Sequence, residues 1–371
     1  MIHFLVPRHQ EFGIRDYLAL DGLGLSGRMF LWHYEDLVSR RSLPAGTYVF
    51  SALDQLSAGG MRMVRELEDQ LRRTAPRVRI VNSPSRTLLR FPLLEKLHQT
   101  GLNRHGAVRA LGDLSGVRFP VFLREQHHHT GPISPLIHST GELTGELGRA
   151  IVRGFDPLDL LVIEYVDTMD PDGFYRRYPA FVVGSEIIPR GLSRSRRWMV
   201  KLDGVEFTEA SILEERAYVL SNPHEKVLRS IVELAGIEYG RIDYALRDGA
   251  VETWEINLNP TIGMAPGVRL SNLPEALEPL RRVAMDHFYS RLQSALEALD
   301  TGGPEGEPIA ISYSAEALRG LDGVVRPKTN PGLPAGLARV LRPFKPLLNR
   351  IVRASGPLLL RVRRAVRRLT R

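Results

Sequence analysis

The sequence predicts an α/β protein, and three patterns support that prediction. Short apolar strands alternate with an amphipathic helix in the first 81 residues. An alternating pair of strands with turn residues between them occupies residues 239–263. Residues 214–235 have the apolar spacing of a helix. Because the N-terminal elements follow one another as strand, helix and strand, they favour a sheet with parallel strands.

Three strands and one helix are predicted in the first 81 residues. Ile2–Val6 is predicted to be a buried strand that ends at Pro7, and Thr47–Ser51 is predicted to be a second strand. Leu56–Arg73 has helical spacing, and Val78–Val81 is a third short strand. Together these elements predict a small open-sheet domain.

A second helix is predicted directly after this domain. Ser83 is a suitable N-cap and Pro84 suits the first helical position. Leucines continue the apolar stripe, and Gly101 ends it. Arg90 lies in this helix, either as a binding residue or as a surface arginine.

A strand and a polar loop follow. Phe119–Arg124 is predicted to be a strand, and the next residues include His127–His129 and Gly131. Consecutive side chains in a strand or loop point in alternating directions, so three histidines in a row do not share one metal ion. We therefore favour loop polarity or phosphate contact for these histidines over a metal site.

The middle of the chain contains a strand, a hairpin and an arginine-rich loop. Leu160–Val166 is apolar and ends in an acid and an aromatic residue, which by itself is also typical of a central strand with a charged end. Ala180–Pro189 is predicted to be a hairpin that turns at Gly184-Ser185. Four arginines then precede Trp198–Lys201, a predicted short strand, and this positive charge suits an anionic ligand or a solvated loop; they are Arg190, Arg194, Arg196 and Arg197. Glu214–Ala235 is predicted to be one helix.

Two alternating strands, Arg241–Leu246 and Val251–Leu258, with the turn residues Arg247-Asp248-Gly249 between them, form the hairpin on which the functional prediction depends. One predicted face is apolar and consists of Ile242, Tyr244, Leu246, Trp254, Ile256 and Leu258. The other predicted face is polar and consists of Arg241, Asp243, Glu255 and Asn257. Mg²⁺ prefers oxygen ligands, so two carboxylates and an amide on one face predict a magnesium site. A solvated polar face is the alternative.

The metal prediction carries a geometric condition. After a turn of two residues, regular pairing would place Asp243 opposite a residue of the apolar face. Asp243 and Glu255 share a face only if the turn has an odd number of residues or a β-bulge shifts the register.

Arg241-x-Asp243, a short turn and the run from Trp254 to Pro260 (WEINLNP) resemble the closing motif of the ATP-grasp enzymes. That superfamily includes D-alanine–D-alanine ligase, glutathione synthetase and biotin carboxylase. In these enzymes the matching Asp, Glu and Asn bind the Mg²⁺ ions that bridge the phosphates of ATP. The resemblance therefore implies that Asp243, Glu255 and Asn257 bind metal, and it extends in the matching order from Ser83 to Gly263.

The resemblance also implies the ATP site. Arg124 stands where the family has a phosphate-binding lysine, Arg90 is nearest to a second one, and Lys201 is a candidate for the missing lysine. Gly131 lies at the position of the flexible phosphate loop, which here contains few glycines. The remaining implied nucleotide contacts are the backbone of Glu164, Tyr165 and Val166 for adenine, and one of Asp167, Asp170 and Asp172, with Asp172 as the candidate, for ribose.

As a function, the resemblance implies a Mg²⁺- and ATP-dependent ligase that joins a carboxylate to an amine, or less often to a thiol, through an acylphosphate. Arg241 and Arg124 are the implied catalytic residues. Two alternatives remain open: a phosphotransferase on the same fold, and a non-catalytic nucleotide-binding protein that docks on a membrane. The implied domains are an N-terminal domain (1–82), a two-lobed ATP-grasp domain (83–300), and a linker with a basic tail (301–371).

The composition and the apolar runs of the chain indicate in which compartment the protein is expected. The 371 residues include no cysteine, which excludes disulfides and thiolate metal sites. Met1–Pro7 lacks a basic leader, and no apolar run reaches the roughly 18 residues of a spanning helix, so we expect a cytoplasmic protein.

The net charge of +8 comes from the C-terminal tail. Residues 326–371 contain 13 basic residues and no acidic one, which leaves 37 basic against 42 acidic residues in the rest of the chain. Basic residues beside an apolar stripe suit an anionic membrane surface, while a tail without a partner is the alternative. Aromatic residues for base stacking are not interleaved, so no specific nucleic acid is expected.

Overall fold

The structure, a computed structural model, describes residues 1–19, 25, 27–75, 77–129, 131–201, 205–262, 273–300, 307–319, 321 and 323–326. Its contacts divide these residues into two units. The larger unit contains residues 1–105 and 166–326, and the smaller unit contains residues 106–165. The predicted domain boundaries at residues 82 and 300 stay predictions, and most of the basic tail lies outside the described residues.

The N-terminal part of the larger unit is built on a parallel sheet. The elements of this part are β1 (Ile2–Val6), α1 (Phe12–Leu18), β2 (Met29–His33), α2 (Tyr34–Leu37), β3 (Ser42–Leu43), β4 (Thr47–Phe50), α3 (Ala58–Thr74), β5 (Arg79–Val81) and α4 (Arg90–Gln99). Four of the strands form the sheet in the order β2-β1-β4-β5, and every pair in it is parallel. The predicted α/β class and open parallel sheet are confirmed.

The second sheet of the larger unit is antiparallel and carries the predicted hairpin. The remaining elements of this unit are β9 (Tyr175–Val183), β10 (Glu186–Pro189), β11 (Ser193–Ser195), α6 (Glu209–Ser221), α7 (Glu225–Ala235), β12 (Tyr239–Arg247), β13 (Ala250–Asn257), α8 (Glu278–Glu297) and β14 (Ile309–Ala310), which pairs with β3. The antiparallel sheet has the strand order β10-β9-β12-β13, and β11 also pairs with β9. The hairpin predicted at Gly184-Ser185 is confirmed.

The smaller unit is an antiparallel sheet with one helix. Its elements are β6 (Ala107–Arg109), β7 (Val121–Glu125), α5 (Thr140–Val152) and β8 (Leu160–Glu164), and the strand order is β6-β8-β7. Leu143 and Ala150 of the helix pack in one core with Val121, Leu123 and Val162 of the sheet. Two of the predicted strands, before Arg124 and before Glu164, are therefore confirmed.

Three local predictions are wrong. The helix predicted to start at Pro84 begins at Arg90, because the amides of Arg86 and Thr87 donate instead to the carbonyl of Ser83 in a turn. The single helix predicted up to Ala235 is two helices, α6 and α7, because Asn222 adopts a left-handed conformation directly before a proline. Trp198–Lys201 forms bends rather than a strand.

In the described part of the chain, no helix is long and apolar enough to cross a membrane.

Candidate functional site

The hairpin turns over two residues, and a bulge then satisfies the geometric condition stated above. Asp248 and Gly249 both have positive φ, as a tight two-residue turn requires. Arg247 pairs with Ala250 and Tyr244 pairs with Thr253, but Asp243 pairs with Glu255. Trp254 is therefore the extra residue of a bulge. This register shift places Asp243 directly opposite Glu255.

The bulge also corrects the predicted place of Trp254. Instead of lying on the apolar face with Ile256, its ring stacks on His105, with 4.5 Å between the ring centroids. The ring of His105 is buried, and its Nδ1 lies 2.8 Å from Oε2 of the buried Glu252. The His105–Glu252 pair was missed from the sequence because 147 residues separate its members.

The polar face brings together the side chains that the motif predicted. In the register of β12 and β13, Arg241 pairs with Asn257 and Asp243 pairs with Glu255. Side chains that are directly opposite in an antiparallel pair lie about 5 Å apart at Cβ. The two carboxylates and the amide therefore lie on one face, within reach of a shared ligand.

Asp243 is held by an arginine of its own strand. Nε of Arg241 donates to Oδ1 of Asp243 at 2.9 Å, and Nη2 donates to Oδ2 at 2.7 Å. Burial alone would lower the pKa of Arg241, but the Asp243 carboxylate outweighs burial and raises it. Arg241 is thus a permanent cation beside the carboxylates.

Glu255 is held by Arg90, the first residue of α4. Nη2 of Arg90 lies 2.5 Å from Oε2 of Glu255, and the side chains are only 4% and 13% exposed. Arg90 is therefore not the surface arginine that was one of the two sequence interpretations. Its place at the carboxylate pair puts it at the same face as Arg241.

The end of β13 is fixed to the parallel sheet. Oδ1 of Asn257 accepts the amide of Asn259 at 2.9 Å, which leaves the second lone pair of this oxygen for a ligand. The Ser51 hydroxyl donates to the carbonyl of Leu258 and to Oδ1 of Asn259. Ser51 and Asn259 were not predicted as site residues; they hold Asn257 in place.

The residues of this face fit a hard divalent cation in their chemistry. Two carboxylates and one amide oxygen are the donor set that Mg²⁺ takes when substrate phosphates complete its coordination. Among the described residues, no group of three or more His, Asp or Glu side chains forms a ready metal cage. These three side chains therefore suit a cation whose coordination is completed by the phosphates of a bound substrate.

The smaller unit contains four of the predicted site residues. Arg124 is buried in β7, and Gly131 has a positive φ in the loop after this strand. The carboxylate of Glu164 accepts from Arg118 and from the amide of Gly106, and these bonds outweigh burial and lower the pKa of Glu164. The amides of Glu164 and Tyr165 donate to the carbonyls of Gly106 and Pro120, so an adenine contact would use other backbone groups of this segment.

The histidine run of the smaller unit is split as predicted. His127 is buried, and its Nε2 lies 3.3 Å from Oδ1 of Asp159. His128 is only partly buried, and its Nε2 lies 3.9 Å from Oε1 of Glu125. The two rings thus face different acids.

Val166, Asp172 and Lys201 belong to the larger unit. Asp172 pairs with Arg176, which also binds Asp170 and Glu214, and the hydrogen bond from Arg176 lowers the pKa of Asp172 to about 2. Lys201 is exposed in an irregular segment.

Comparisons with known proteins were made in sequence and in structure. No protein-family model and no curated protein sequence matches the chain. The chain is similar to the solved structure of D-alanine–D-alanine ligase from Bacillus anthracis complexed with ATP, with 12% identity and a TM-score of 0.43 over 79% of this chain and 98% of that one.

Two further solved structures are similar at the same level. A RimK domain ATP-grasp protein from Sphaerobacter thermophilus has 13% identity and a TM-score of 0.44 over 81% of this chain and 99% of that one. D-alanine–D-alanine ligase from Coxiella burnetii has 10% identity and a TM-score of 0.43 over 80% of this chain and 97% of that one.

Proposed function

We propose that the chain is an ATP-grasp enzyme that uses ATP and Mg²⁺ to join a carboxylate to an amine. One observation carries the proposal: the bulge at Trp254 places Asp243 opposite Glu255, with Arg241 and Asn257 as the next pair on the same face. A hairpin with regular pairing would have separated these side chains, so the register supports the resemblance of the sequence motif.

Under this proposal Asp243, Glu255 and Asn257 hold the metal. Bound Mg²⁺ would neutralise charge on the β- and γ-phosphate oxygens. Arg241, fixed beside Asp243, would stabilise the charge of the transferring phosphoryl group. Arg90, Arg124 and Lys201 would hold phosphates, and the segment from Glu164 to Val166 and Asp172 would bind the nucleoside.

Catalysis of this reaction depends on the positioning of the reactants and on charge stabilisation, and it needs no covalent bond to the protein. A carboxylate oxygen of the substrate attacks the γ-phosphorus, and the bond to the ADP oxygen breaks. The neutral amine nitrogen then attacks the acyl carbon, the C–N bond forms and the C–O bond to the phosphate breaks. Inorganic phosphate leaves, and the nitrogen releases one proton to solvent. Arginines are suited to this sequence because a guanidinium stays protonated throughout and grips oxyanions with two parallel bonds.

The first test is nucleotide binding. Titration calorimetry of the wild type is expected to show ATP binding that requires Mg²⁺. Asp243→Asn removes a metal ligand and half of the pair with Arg241, so its Mg²⁺-dependent affinity should fall at least about tenfold, or about 1.4 kcal/mol. Asp248→Asn is the matched control, because this residue is exposed in the turn and Asn also tolerates its positive φ. Equal affinities for the two variants would contradict the metal site.

The second test separates the ligase from its alternatives. A panel of carboxylates is screened for ADP release with and without a panel of amines. A ligase needs both partners for full turnover, whereas a phosphotransferase releases ADP without an amine. A protein that binds Mg²⁺ and ATP but releases no ADP with any pair would be a non-catalytic binder.

A further inference from the structure

Arg190 lies in line with the proposed metal ligands. It follows β10 directly, and its amide donates to the carbonyl of Pro179 at 2.9 Å. Pro179 is the register partner of Asp243, which in turn pairs with Glu255. Arg190, Pro179, Asp243 and Glu255 therefore form one row across four strands. Two strand spacings put the Arg190 Cα about 10 Å from that of Asp243, a distance that an arginine side chain largely spans.

The side chain of Arg190 lies on the same side of the sheet as this row. Its guanidinium carbon is 5.8 Å from the centre of the Phe288 ring on α8. Phe288 also packs on Phe181, with 5.3 Å between ring centroids, and Phe181 is the register partner of Arg241. Arg190, Phe288 and the polar face of the hairpin thus share one side.

Two neighbouring arginines hydrogen-bond to a carboxylate, whereas Arg190 does not: its charge acts on the buried Glu215 only through space. Arg241 binds Asp243, and Arg281 binds both oxygens of the buried Glu215 at 3.0 Å. Within the described ranges, Arg190 makes no ion pair; it hydrogen-bonds to Tyr289, and its enclosed Nε has no hydrogen-bond partner. An enclosed donor without an acceptor costs free energy unless a ligand supplies one.

The surroundings of Arg190 also disfavour its positive charge. Burial lowers the pKa of Arg190, Tyr289 raises it in part, and the nearby charges of Arg241 and Arg281 lower it again. Packing alone does not explain this arrangement, because a leucine or methionine side chain would cover Phe288 without confining a cation. An oxyanion between Arg190 and Arg241 would offset the repulsion and satisfy Nε.

We propose that Arg190 is a second binding residue, beside Arg241, for the reacting oxyanion. The ligand is a carboxylate or phosphoryl group, supplied by the acid substrate or by the γ position of the nucleotide. This inference rests on the proposed function, since it names a residue that the ATP-grasp motif of this sequence did not include.

The experiment uses selenate as an oxyanion probe on the full chain. Crystals soaked in selenate should show an anomalous peak between the guanidinium groups of Arg190 and Arg241. In calorimetry, Arg190→Met should weaken selenate binding at least about tenfold, and Arg190→Lys, which keeps the charge but loses the fork, about threefold. Arg229→Met is the matched control, because Arg229 pairs with Glu225 on α7. It should bind selenate like the wild type.

Two competition arms identify the source of the oxyanion. Displacement of selenate by Mg²⁺ with a non-hydrolysable ATP analogue, but not by Mg²⁺ with ADP, assigns the position to the γ-phosphoryl group. Displacement by simple carboxylates in the presence of Mg²⁺ and ADP assigns it to the acid substrate. Absence of selenate from the wild type, or equal binding by Arg190→Met, would overturn the proposal. Failure of ATP binding with selenate still bound would instead reject the proposed function alone.

Discussion

At the scale of single residues, the candidate site is a set of charges in which each acid is already held by an arginine. Arg241 holds Asp243, and Arg90 holds Glu255. A buried ion pair recovers its desolvation cost only while both partners are present. Removing one arginine therefore leaves a carboxylate without its cation, and a metal ion that binds this carboxylate should restore part of the lost stability.

Arg90→Leu tests this directly. Loss of the guanidinium beside Glu255 should cost about 3 kcal/mol and lower the melting temperature by about 6 °C. If Glu255 is a metal ligand, 10 mM Mg²⁺ should restore at least half of this loss. The matched control is Arg72→Leu, which removes the partner of the buried Glu68 on α3. Differential scanning calorimetry that shows the same Mg²⁺ response in both variants would count against Glu255.

A pH prediction concerns Asp172. Its pKa is lowered to about 2 by Arg176, below an ordinary value of 3.8. The pair therefore stabilises the fold fully above about pH 4, and this contribution is lost as the pH falls towards 2. Because Asp172 is well exposed, Asp172→Asn should lower the melting temperature by only about 1–2 °C at pH 6, and by much less near pH 2, where half of the carboxyl groups in the folded protein are protonated.

Melting curves from pH 6 to pH 2 measure this effect. Asp286→Asn, an exposed change on α8, provides the comparison. A difference between Asp172→Asn and the wild type that is as large at pH 2 as at pH 6 would show that its cause is not the ionised pair.

The residue types of the polar face could be predicted from the sequence, but their partners could not. Alternation along two strands is a local property, and it identified Arg241, Asp243, Glu255 and Asn257. The partner of Glu255 is 165 residues away in sequence, so only the packing of α4 against the sheet reveals it. Arg190 was visible as one cation among four, but the sequence does not show that its guanidinium forms no ion pair in the described part of the folded chain.

At the scale of elements, the hairpin depends on its turn. Gly249 has φ of +75°, and a Cβ placed there would meet nothing within 4 Å. Gly249→Ala should therefore destabilise the protein through backbone strain alone, by about 1 kcal/mol.

Gly148 in the middle of α5 is the opposite case. A Cβ there also meets nothing within 4 Å, and Ala is favoured in a helix, so Gly148→Ala should stabilise by about 0.5–1 kcal/mol. Urea denaturation measures the free energy of unfolding of both variants, which should fall for Gly249→Ala and rise for Gly148→Ala. Destabilisation by both would show that contacts, rather than backbone conformation, decide the outcome.

The errors at this scale have a common physical origin. The turn after Ser83 and the break at Asn222 are settled by hydrogen bonds and a left-handed backbone, whereas apolar spacing continues through both places. The bulge shows the reverse case. Sequence reasoning required either a bulge or an odd turn, and only the register of the folded strands decided between them.

At the scale of the whole molecule, charge separates the folded units from the tail. Ending the chain after Arg326 leaves 38 basic against 42 acidic residues. The full chain is expected to sediment with vesicles that contain 30% phosphatidylserine, and the shortened chain to bind them at least about tenfold more weakly. Raising the salt to 0.3 M should remove most of the difference.

Calorimetry with Mg²⁺ and ATP provides the second readout for the shortened chain. Its affinity should stay within about twofold of the full chain, because every proposed site residue precedes residue 327. Equal vesicle binding by both chains would rule out the tail as the membrane contact.

The way the chain enters and leaves the smaller unit allows this segment to be replaced as a whole. Residues 106–165 of this unit form one continuous segment of the chain. Its two ends are hydrogen-bonded to each other, because the amide of Glu164 donates to the carbonyl of Gly106 at 3.0 Å. A segment whose start and finish already touch can be exchanged as a cassette without stretching the host chain. Homologous cassettes with other loops could thus be swapped in at Gly106 and Tyr165, while the strands that carry Asp243 and Glu255 keep their own sequence.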